Sequence, residues 1–272
     1  MATGSKHSRQ LGPPIAYGRT AVVYDWQPGQ VVKLFYDWFP QEAIASEARI
    51  AAAVQRAGVA APAVGPRVEV DGRTGLVYEK VQGEPMTTAL TSRPWRTDRL
   101  ARQLADLQAA LHARVGPETL PAQHARLQAK IEAAEPLSAE LRQAPLRLLA
   151  GLPQGDRLCH GDFHPGNVLM AEQGLVFIDW MDASRGHPLA DLARSSLLIS
   201  RGQLPDGTPL RWLIERIRSR FHRVYLDHYR REQPWDEAQF SAWLVVNAAA
   251  RLTEGVPEAP ALLAFVQQKL AG

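Results

Sequence analysis

Over the first eighty residues, apolar and polar positions form short β-branched and aromatic runs. Ala21–Tyr24 and Val31–Tyr36 are two of these, separated by the turn signal Gln27-Pro-Gly-Gln30. Pro40 is a favourable first helical residue and Gly58 a favourable stop, so a helix is predicted between them. Arg67–Val70 and Gly75–Glu79 flank Asp71-Gly72, which reads as a hairpin. Val81–Pro85 reads as a short connector. The period then changes: Leu100, Leu104, Leu107 and Leu111 recur at helical spacing, and residues 120–149 are rich in Ala, Leu and Arg. A strand-like patch, Arg157–Cys159, precedes a Gly/Pro-punctuated loop, Gly161–Gly166. Two short apolar runs follow, Val168–Met170 and Leu175–Ile178, and from Pro188 onward the pattern is again helical. This order predicts an α+β chain. Residues 1–82 would form a small antiparallel-sheet lobe with one helix, and residues 83–272 a larger, mainly helical lobe. The polar stretch 1–10 reads as a disordered tail.

Composition narrows the class. With 272 residues, 46% apolar and 22% charged, the chain can bury a sizeable core and reads as a soluble globular enzyme. No run of eighteen apolar residues occurs, so no membrane association is expected. Cys159 is the only cysteine, which rules out an intrachain disulfide and fits a reducing compartment, with the cytoplasm as the expected location. The net charge of +3 is too small to suggest a nucleic-acid partner, and no obligate protein partner is evident. Only five of the 31 cations are lysines, so each lysine stands out.

The richest segment for chemistry is Leu158–Leu169, in which His160, Asp162 and Asn167 stand in the order H-x-D-x-x-x-x-N. Asp179 follows twelve residues after Asn167, closing an apolar strand. Glycine and proline exclude a helix through 161–166, so a rigid loop would aim Asp162 and Asn167 together, and Asp179 can join them from the next strand. Phosphoryl transfer needs these groups: a carboxylate for the attacking hydroxyl's proton, and an amide and second carboxylate for Mg²⁺. Order and spacing match the protein-kinase catalytic loop and its metal-binding Asp. Singly, Asp162 and Asn167 read equally well as Asx-turn residues. A metal hydrolase using His160, Asp162 and His164 is a rival, but such His pairs usually lie on a helix face, which the glycines and proline deny. His160 more plausibly braces the loop from below.

Lys33 sits mid-strand in a chain that prefers arginine, and a compact ammonium suits a narrow approach to phosphates. It needs a counter-charge. Ala43, Glu47, Ile50, Ala51 and Val54 share one helix face, so Glu47 interrupts an apolar stripe, whereas Glu42 points elsewhere. A Lys33–Glu47 pair is therefore expected. The other reading is a lysine snorkelling from an edge strand beside a solvated glutamate. Ala16–Val23 lies where a phosphate flap belongs; Gly18 and Thr20 could offer N–H groups and a hydroxyl.

With these residues assembled, the sequence resembles the aminoglycoside phosphotransferase and choline kinase family, which has a bilobal protein-kinase-like fold. The resemblance rests on His160–Asn167, Phe177-Ile-Asp-Trp180 and Gly186–Ala193, with looser similarity from about Ile15 to Leu262. It implies Asp162 as catalytic base, Asn167 and Asp179 as Mg²⁺ ligands, and Lys33 with Glu47 as the phosphate-positioning pair. It implies ATP or GTP as co-substrate, with adenine bound at the Glu79 carbonyl and Val81 N–H and Tyr78 behind the pocket. Asp191 would hydrogen-bond the loop from behind. Where the family often has flap glycines this chain has Ala16-Tyr17, and Trp180-Met181 replaces the Phe-Gly of protein kinases. A small-molecule kinase is therefore expected, the alternative being a nucleotide-binding pseudokinase or regulator of the same fold.

The acceptor-binding residues are not legible. An aminoglycoside or other antibiotic, a sugar or an amino alcohol would each suit the family. Polycationic aminoglycosides call for a carboxylate-rich site, yet Arg211–Glu232 carries seven arginines against three acids. That stretch reads as an amphipathic helix with a solvated arginine face, or as recognition of an anionic acceptor. Asp182 and Glu254 are candidate pocket acids, and Trp212, Trp235 and Trp243 candidate stacking or core residues.

Overall fold

The computed structural model describes residues 6–7, 11–202 and 207–271. It divides into two compact units. One comprises the chain up to Glu84 together with Val168–Met181, the other Pro85–Asn167 together with Asp182 onward. The sequence pattern alone assigns all of 83–272 to one lobe. The structure instead groups the segment 168–181 with the first unit, because the backbone N–H of Phe177 donates to the carbonyl of Ala60 at 2.9 Å.

The first unit is built on a six-stranded sheet. Its strands are β1 (Lys6–His7), β2 (Pro14–Tyr17), β3 (Ala21–Asp25), β4 (Gln30–Phe35), β5 (Val64–Val70) and β6 (Arg73–Glu79), in the order β1-β5-β6-β4-β3-β2. All neighbours are antiparallel except β1 and β5. The sheet is thus mixed at one edge rather than purely antiparallel as expected. Lys6–His7 is a paired strand within the stretch read as a disordered tail, whose other residues lie outside the described ones. The β5–β6 hairpin turns at Asp71-Gly72, both at positive φ (49° and 79°), the backbone of the tight two-residue turn that this dipeptide favours.

Side-chain alternation gives the sheet two apolar faces. Val32, Leu34, Val68, Val70 and Val77 cluster with Trp26 on one. Phe35 and Leu76 meet Ala21 and Ile44 on the other, where helix α1 (Gln41–Arg56) packs. Pro40, expected as the first helical residue, instead precedes α1 as its extended N-cap, and Gly58 follows the helix at φ 67°, as the sequence predicts. A second small sheet consists of β7 (Gly83–Pro85), β9 (Val168–Ala171) and β10 (Gly174–Phe177), in the order β10-β9-β7.

The second unit is helical: α2 (Met86–Ser92), α3 (Thr97–His112), α4 (Gln123–Ala133), α5 (Ala139–Gly151), α6 (Pro188–Arg201), α7 (Arg211–Glu232), α8 (Glu237–Arg251) and α9 (Ala259–Ala271). One short ribbon joins them, β8 (Arg157–Cys159) paired antiparallel with β11 (Ser184–Gly186). Helix α3 lies along α7, burying Leu100, Leu104 and Leu111 from one and Phe221, Tyr225 and Tyr229 from the other. Helix α8, with Trp243 fully buried, packs against α4, α5, α6 and α9. Among the described residues no helix is long and apolar enough to cross a membrane.

Gly75 of β6 faces the first cluster, where a Cβ would lie 2.7 Å from Val32 Cγ2. Gly75→Val should therefore overpack the sheet and cost about 1–3 kcal/mol, measured as a lowered urea midpoint with unchanged far-ultraviolet circular dichroism at zero denaturant.

Candidate active site

Lys33 lies on β4 between Val23 of β3 and Leu76 of β6, so its strand is internal to the sheet and no edge is available for snorkelling. Strand alternation turns it to the α1 face, one residue out of phase with Val32 and Leu34. Its ammonium donates to Glu47 Oε1 at 2.8 Å and to Asp179 Oδ1 at 3.0 Å. Tyr78 Oη donates to the same Glu47 oxygen at 2.9 Å. Glu47 is buried, and Glu42 instead pairs with Arg49 on the exposed side of α1. Burial works against the Lys33 ammonium, but Asp179 and Glu47 together outweigh it and raise its pKa. Burial lifts the Glu47 carboxyl above its ordinary value despite Lys33, and lifts the Tyr78 phenol too. Asp179 follows β10 with φ at 61°, a left-handed conformation unusual for a residue with a side chain.

The other predicted residues of the first unit are peripheral to this cluster. Gly18 and Thr20 form the β2–β3 turn, closed by the Gly18 N–H on the Ala21 carbonyl at 2.8 Å. The Thr20 carbonyl accepts from the Tyr36 N–H at 3.0 Å. Glu79 ends β6 and accepts from the Ala63 N–H through its carboxylate at 3.1 Å. Val81 lies in the connector between β6 and β7.

In the second unit, β8 delivers the chain to His160, Gly161 and Asp162. Gly161 has φ at 80°, and a Cβ there would fall 2.2 Å from the Asp182 carbonyl oxygen, so only glycine fits. The loop rests on Asp191, in the first turn of α6. Its carboxylate accepts from the backbone N–H of His160 (3.1 Å) and of Gly161 (2.7 Å). It also meets Gln108 Nε2 (3.2 Å) and His112 Nε2 (3.0 Å) of α3. Gln108 reaches Ser195 Oγ at 2.9 Å, and His112 Nδ1 meets Tyr229 Oη at 2.6 Å. Burial would raise the Asp191 carboxyl, but the His112 hydrogen bond and the Gly161 N–H prevail and hold it below its ordinary value. His160 is wholly buried, and its Nδ1 accepts from the Asp162 N–H at 3.3 Å, bracing the loop from within.

Asp162 is partly exposed and sits among donors. Asn167, in a single 3₁₀ turn over Pro165–Asn167, gives its amide Nδ2 to the Asp162 carbonyl (2.9 Å) and to Oδ2 (3.0 Å). That orientation leaves the Asn167 Oδ1 as a hard oxygen donor. Arg194 of α6 reaches Asp162 Oδ1 at 3.4 Å, and His164 Nε2 lies 3.6 Å from Oδ2. Burial alone would raise this carboxyl, but His164 and Arg194 overcome it and hold it well below the usual carboxylate range. Among the described residues, the one set of three His, Cys, Asp or Glu side chains close enough to share a metal is His112, Cys159 and Asp191, where His112 and Asp191 bond each other directly. The trio of a metal hydrolase, His160, Asp162 and His164, is not among them.

Sequence reasoning missed Arg194, which bonds the Gly161 carbonyl through Nε at 3.2 Å besides reaching Asp162. It also missed Arg126 and Lys130, which pair with Asp182 at 2.5 and 3.1 Å. Nothing in spacing or composition distinguishes Arg194 from the other arginines. The rarity of lysine is the sequence feature that singles out Lys130.

A family model described as the phosphotransferase enzyme family matches residues 19–235. No curated protein matches the sequence. Solved structures share the fold at low identity. An apo thermostable mutant of aminoglycoside phosphotransferase APH(4)-Ia aligns with a TM-score of 0.63 at 15% identity, covering 97% of this chain and 94% of that one. Amicoumacin kinase hAmiN aligns with a TM-score of 0.64 at 16% identity, covering 97% and 89%. A choline/ethanolamine kinase family protein from Mesorhizobium loti aligns with a TM-score of 0.55 at 17% identity, covering 99% and 87%. The fold is thus that of the aminoglycoside phosphotransferases, and the match across most of its length shows that the chain belongs to the phosphotransferase enzyme family.

Proposed function

We propose that the protein transfers the γ-phosphoryl group of ATP, with Mg²⁺, to a hydroxyl of a small molecule. The observation that carries this reading is the Lys33 clamp: a lysine in an arginine-rich chain, internal to a sheet, fixed by Glu47 and Asp179. A lysine so held presents a compact, permanently charged ammonium to phosphate oxygens. Solved relatives of this fold support the nucleotide, one having been captured with AMP-PNP and Ca²⁺.

The donor set fits a hard divalent cation. Asn167 and Asp179 each offer an oxygen donor of the kind such an ion takes and would hold it, since it needs few ligands from protein. It would supply charge neutralisation to the phosphates. Asp162 would then orient the acceptor hydroxyl and take its proton as the new O–P bond forms and the bond from the γ-phosphorus to the bridging oxygen breaks, releasing ADP. Despite its burial, His164 and Arg194 hold this carboxylate well below the ordinary range, so it stays ionised and able to accept the proton. Asp191 supports this through the backbone, accepting from the consecutive N–H groups of His160 and Gly161 and so fixing the chain that leads into Asp162. The Glu79 carbonyl and the Val81 N–H supply the edge that reads the base.

Asp162→Asn keeps the size of the side chain and removes the proton acceptor. Turnover should fall by about 10²–10⁴-fold in an ADP-release assay, with nucleotide affinity by calorimetry nearly unchanged; wild-type turnover in this variant would exclude Asp162 as the base. Asp179→Asn should instead weaken Mg-ATP binding and turnover together, and should also loosen Lys33; unchanged Mg-ATP affinity would remove Asp179 from the metal site. An acceptor panel in the same assay tests the activity itself. Mg-nucleotide binding without acceptor-dependent release across a broad panel would favour a nucleotide-binding regulator of the same fold.

A further inference from the structure

Arg194 is buried on α6, one helical turn after Asp191. Its planar fork spans two consecutive residues of the loop. Nε donates to the Gly161 carbonyl at 3.2 Å, and Nη2 reaches Asp162 Oδ1 at 3.4 Å. The same Nη2 makes its short contact elsewhere, an ion pair with Glu254 Oε1 at 2.7 Å. Glu254 ends the 3₁₀ turn after α8 and is held in its turn by Arg251 at 2.8 Å, which also grips the buried Glu258 at 2.5 Å. The guanidinium is thus anchored on Glu254 and leans on Asp162.

The two oxygens of Asp162 are not equivalent. Oδ2 accepts from Asn167 Nδ2 at 3.0 Å and has His164 Nε2 at 3.6 Å. The Gly166 N–H donates to His164 Nδ1 at 3.1 Å, which leaves the proton of the neutral ring on Nε2, toward Asp162. Among the described residues the one donor at Oδ1 is Arg194, at the long end of hydrogen-bond distance, so this oxygen keeps a lone pair for a hydroxyl. A carboxylate that takes a proton also loses its charge. Were Asp162 the sole partner of Arg194, that step would strand a buried guanidinium. Burial disfavours the Arg194 cation, but Glu254 foremost, then Asp162 and Asp182, outweigh it. Glu254 therefore balances the guanidinium whichever state Asp162 is in.

We propose that Arg194 is a positioning residue for phosphoryl transfer. It ties the Gly161 carbonyl to Asp162 so that Oδ1 is the oxygen turned to the acceptor hydroxyl, and Glu254 is the counter-charge that keeps it in place while Asp162 is neutralised. The proposal rests on the reading of Asp162 as the base. In the step, the hydroxyl O–H bond breaks and its proton goes to Oδ1. The hydroxyl oxygen's electron pair forms the bond to the γ-phosphorus, and the pair of the bond to the bridging oxygen leaves with ADP. Arg194 gains and loses no proton; it stops the carboxylate from rotating. A lysine at this position would keep the charge and the pairing with Glu254, but a single ammonium lacks the fork that holds a carbonyl and a carboxylate in one plane.

The test compares the full chain carrying Arg194→Lys with wild type. The control is Arg220→Gln, which breaks the exposed two-point pair to Asp98 on α7 and should behave as wild type. Arg194→Lys should keep the urea midpoint and the calorimetric Mg-ATP affinity. Amide exchange in the peptide spanning 160–167, read by mass spectrometry, should quicken by about tenfold. With an acceptor found in the ADP-release assay, kcat should fall by about 10–100-fold with little change in the KM for ATP. Glu254→Gln should lower kcat in the same way, and the double variant should lose little more than Arg194→Lys alone, because the two changes act through one contact. Wild-type exchange or wild-type kcat in Arg194→Lys would overturn the proposal, as would a lowered urea midpoint with kcat unchanged, which is the mark of a merely structural arginine. Full additivity in the double variant would remove Glu254 from the positioning. Arg194→Lys decides the matter even where Glu254→Gln does not fold. Exchange is read without an acceptor, so unchanged exchange counts against Arg194, whereas an acceptor panel without turnover counts against the phosphotransfer reading.

Discussion

The Asp191 carboxylate, shut away from solvent, receives two backbone N–H groups from the His160–Gly161 turn and two side-chain donors from α3. An isolated buried carboxylate is costly, so the arrangement is stable only with all its partners in place. That requirement is also what gives it authority over the loop. Each N–H that lost its acceptor would be stranded in a dry interior at about 1–3 kcal/mol. Its place in the first turn of α6 adds the favourable field of the helix N-terminus. Everything read as chemistry in the second unit hangs from this anchor. Gly161 turns back on itself there, Asp162 follows, and Asn167 closes onto Asp162 from the next turn.

Features set by local rules were legible in the sequence. The ends of α1 follow from Pro40 and Gly58, and the β5–β6 hairpin from Asp71-Gly72, because turn and cap preferences depend on a few adjacent residues. The Lys33–Glu47 pair was within reach for a similar reason, since strand alternation and helix period fix which face each occupies. Asp191 could be placed only by resemblance. Its hydrogen bonds join segments far apart in the chain, and no periodicity encodes them. The ion network of Arg126, Lys130, Arg194 and Glu254 was invisible for the same reason, as one arginine among many carries no signal of burial. The three tryptophans show how far composition reaches: Trp243 is fully buried in α8, whereas Trp212 on α7 is 65% exposed.

The use of lysine and arginine follows a division of labour. Arginine does most of the pairing in the second unit, where its planar fork spans a carbonyl and a carboxylate at once, as Arg194 does with Gly161 and Asp162. Lys33 sits between Glu47 and Asp179 and Lys130 between Asp182 and Glu254, each through a single ammonium, whereas Arg194 and Arg251 reach two carboxylates through a planar guanidinium. An ammonium can sit between two such groups without the directional demands of a guanidinium.

The grouping of Val168–Met181 with the first unit has a consequence for how the protein is made. The N-terminal unit is not a contiguous stretch of chain: the hairpin whose Phe177 N–H satisfies Ala60, and the Asp179 that clamps Lys33, are synthesised only after α2–α5 have emerged. Until then the Lys33 ammonium has one carboxylate in place of two. The second unit is likewise interrupted, with Asp191 encoded after the hairpin while the loop it anchors is encoded before it. Neither unit can therefore be excised, swapped or completed on the ribosome as a single segment. The interleaving ties the completion of the Lys33 clamp and that of the Asp162 loop to the same late stretch of polypeptide.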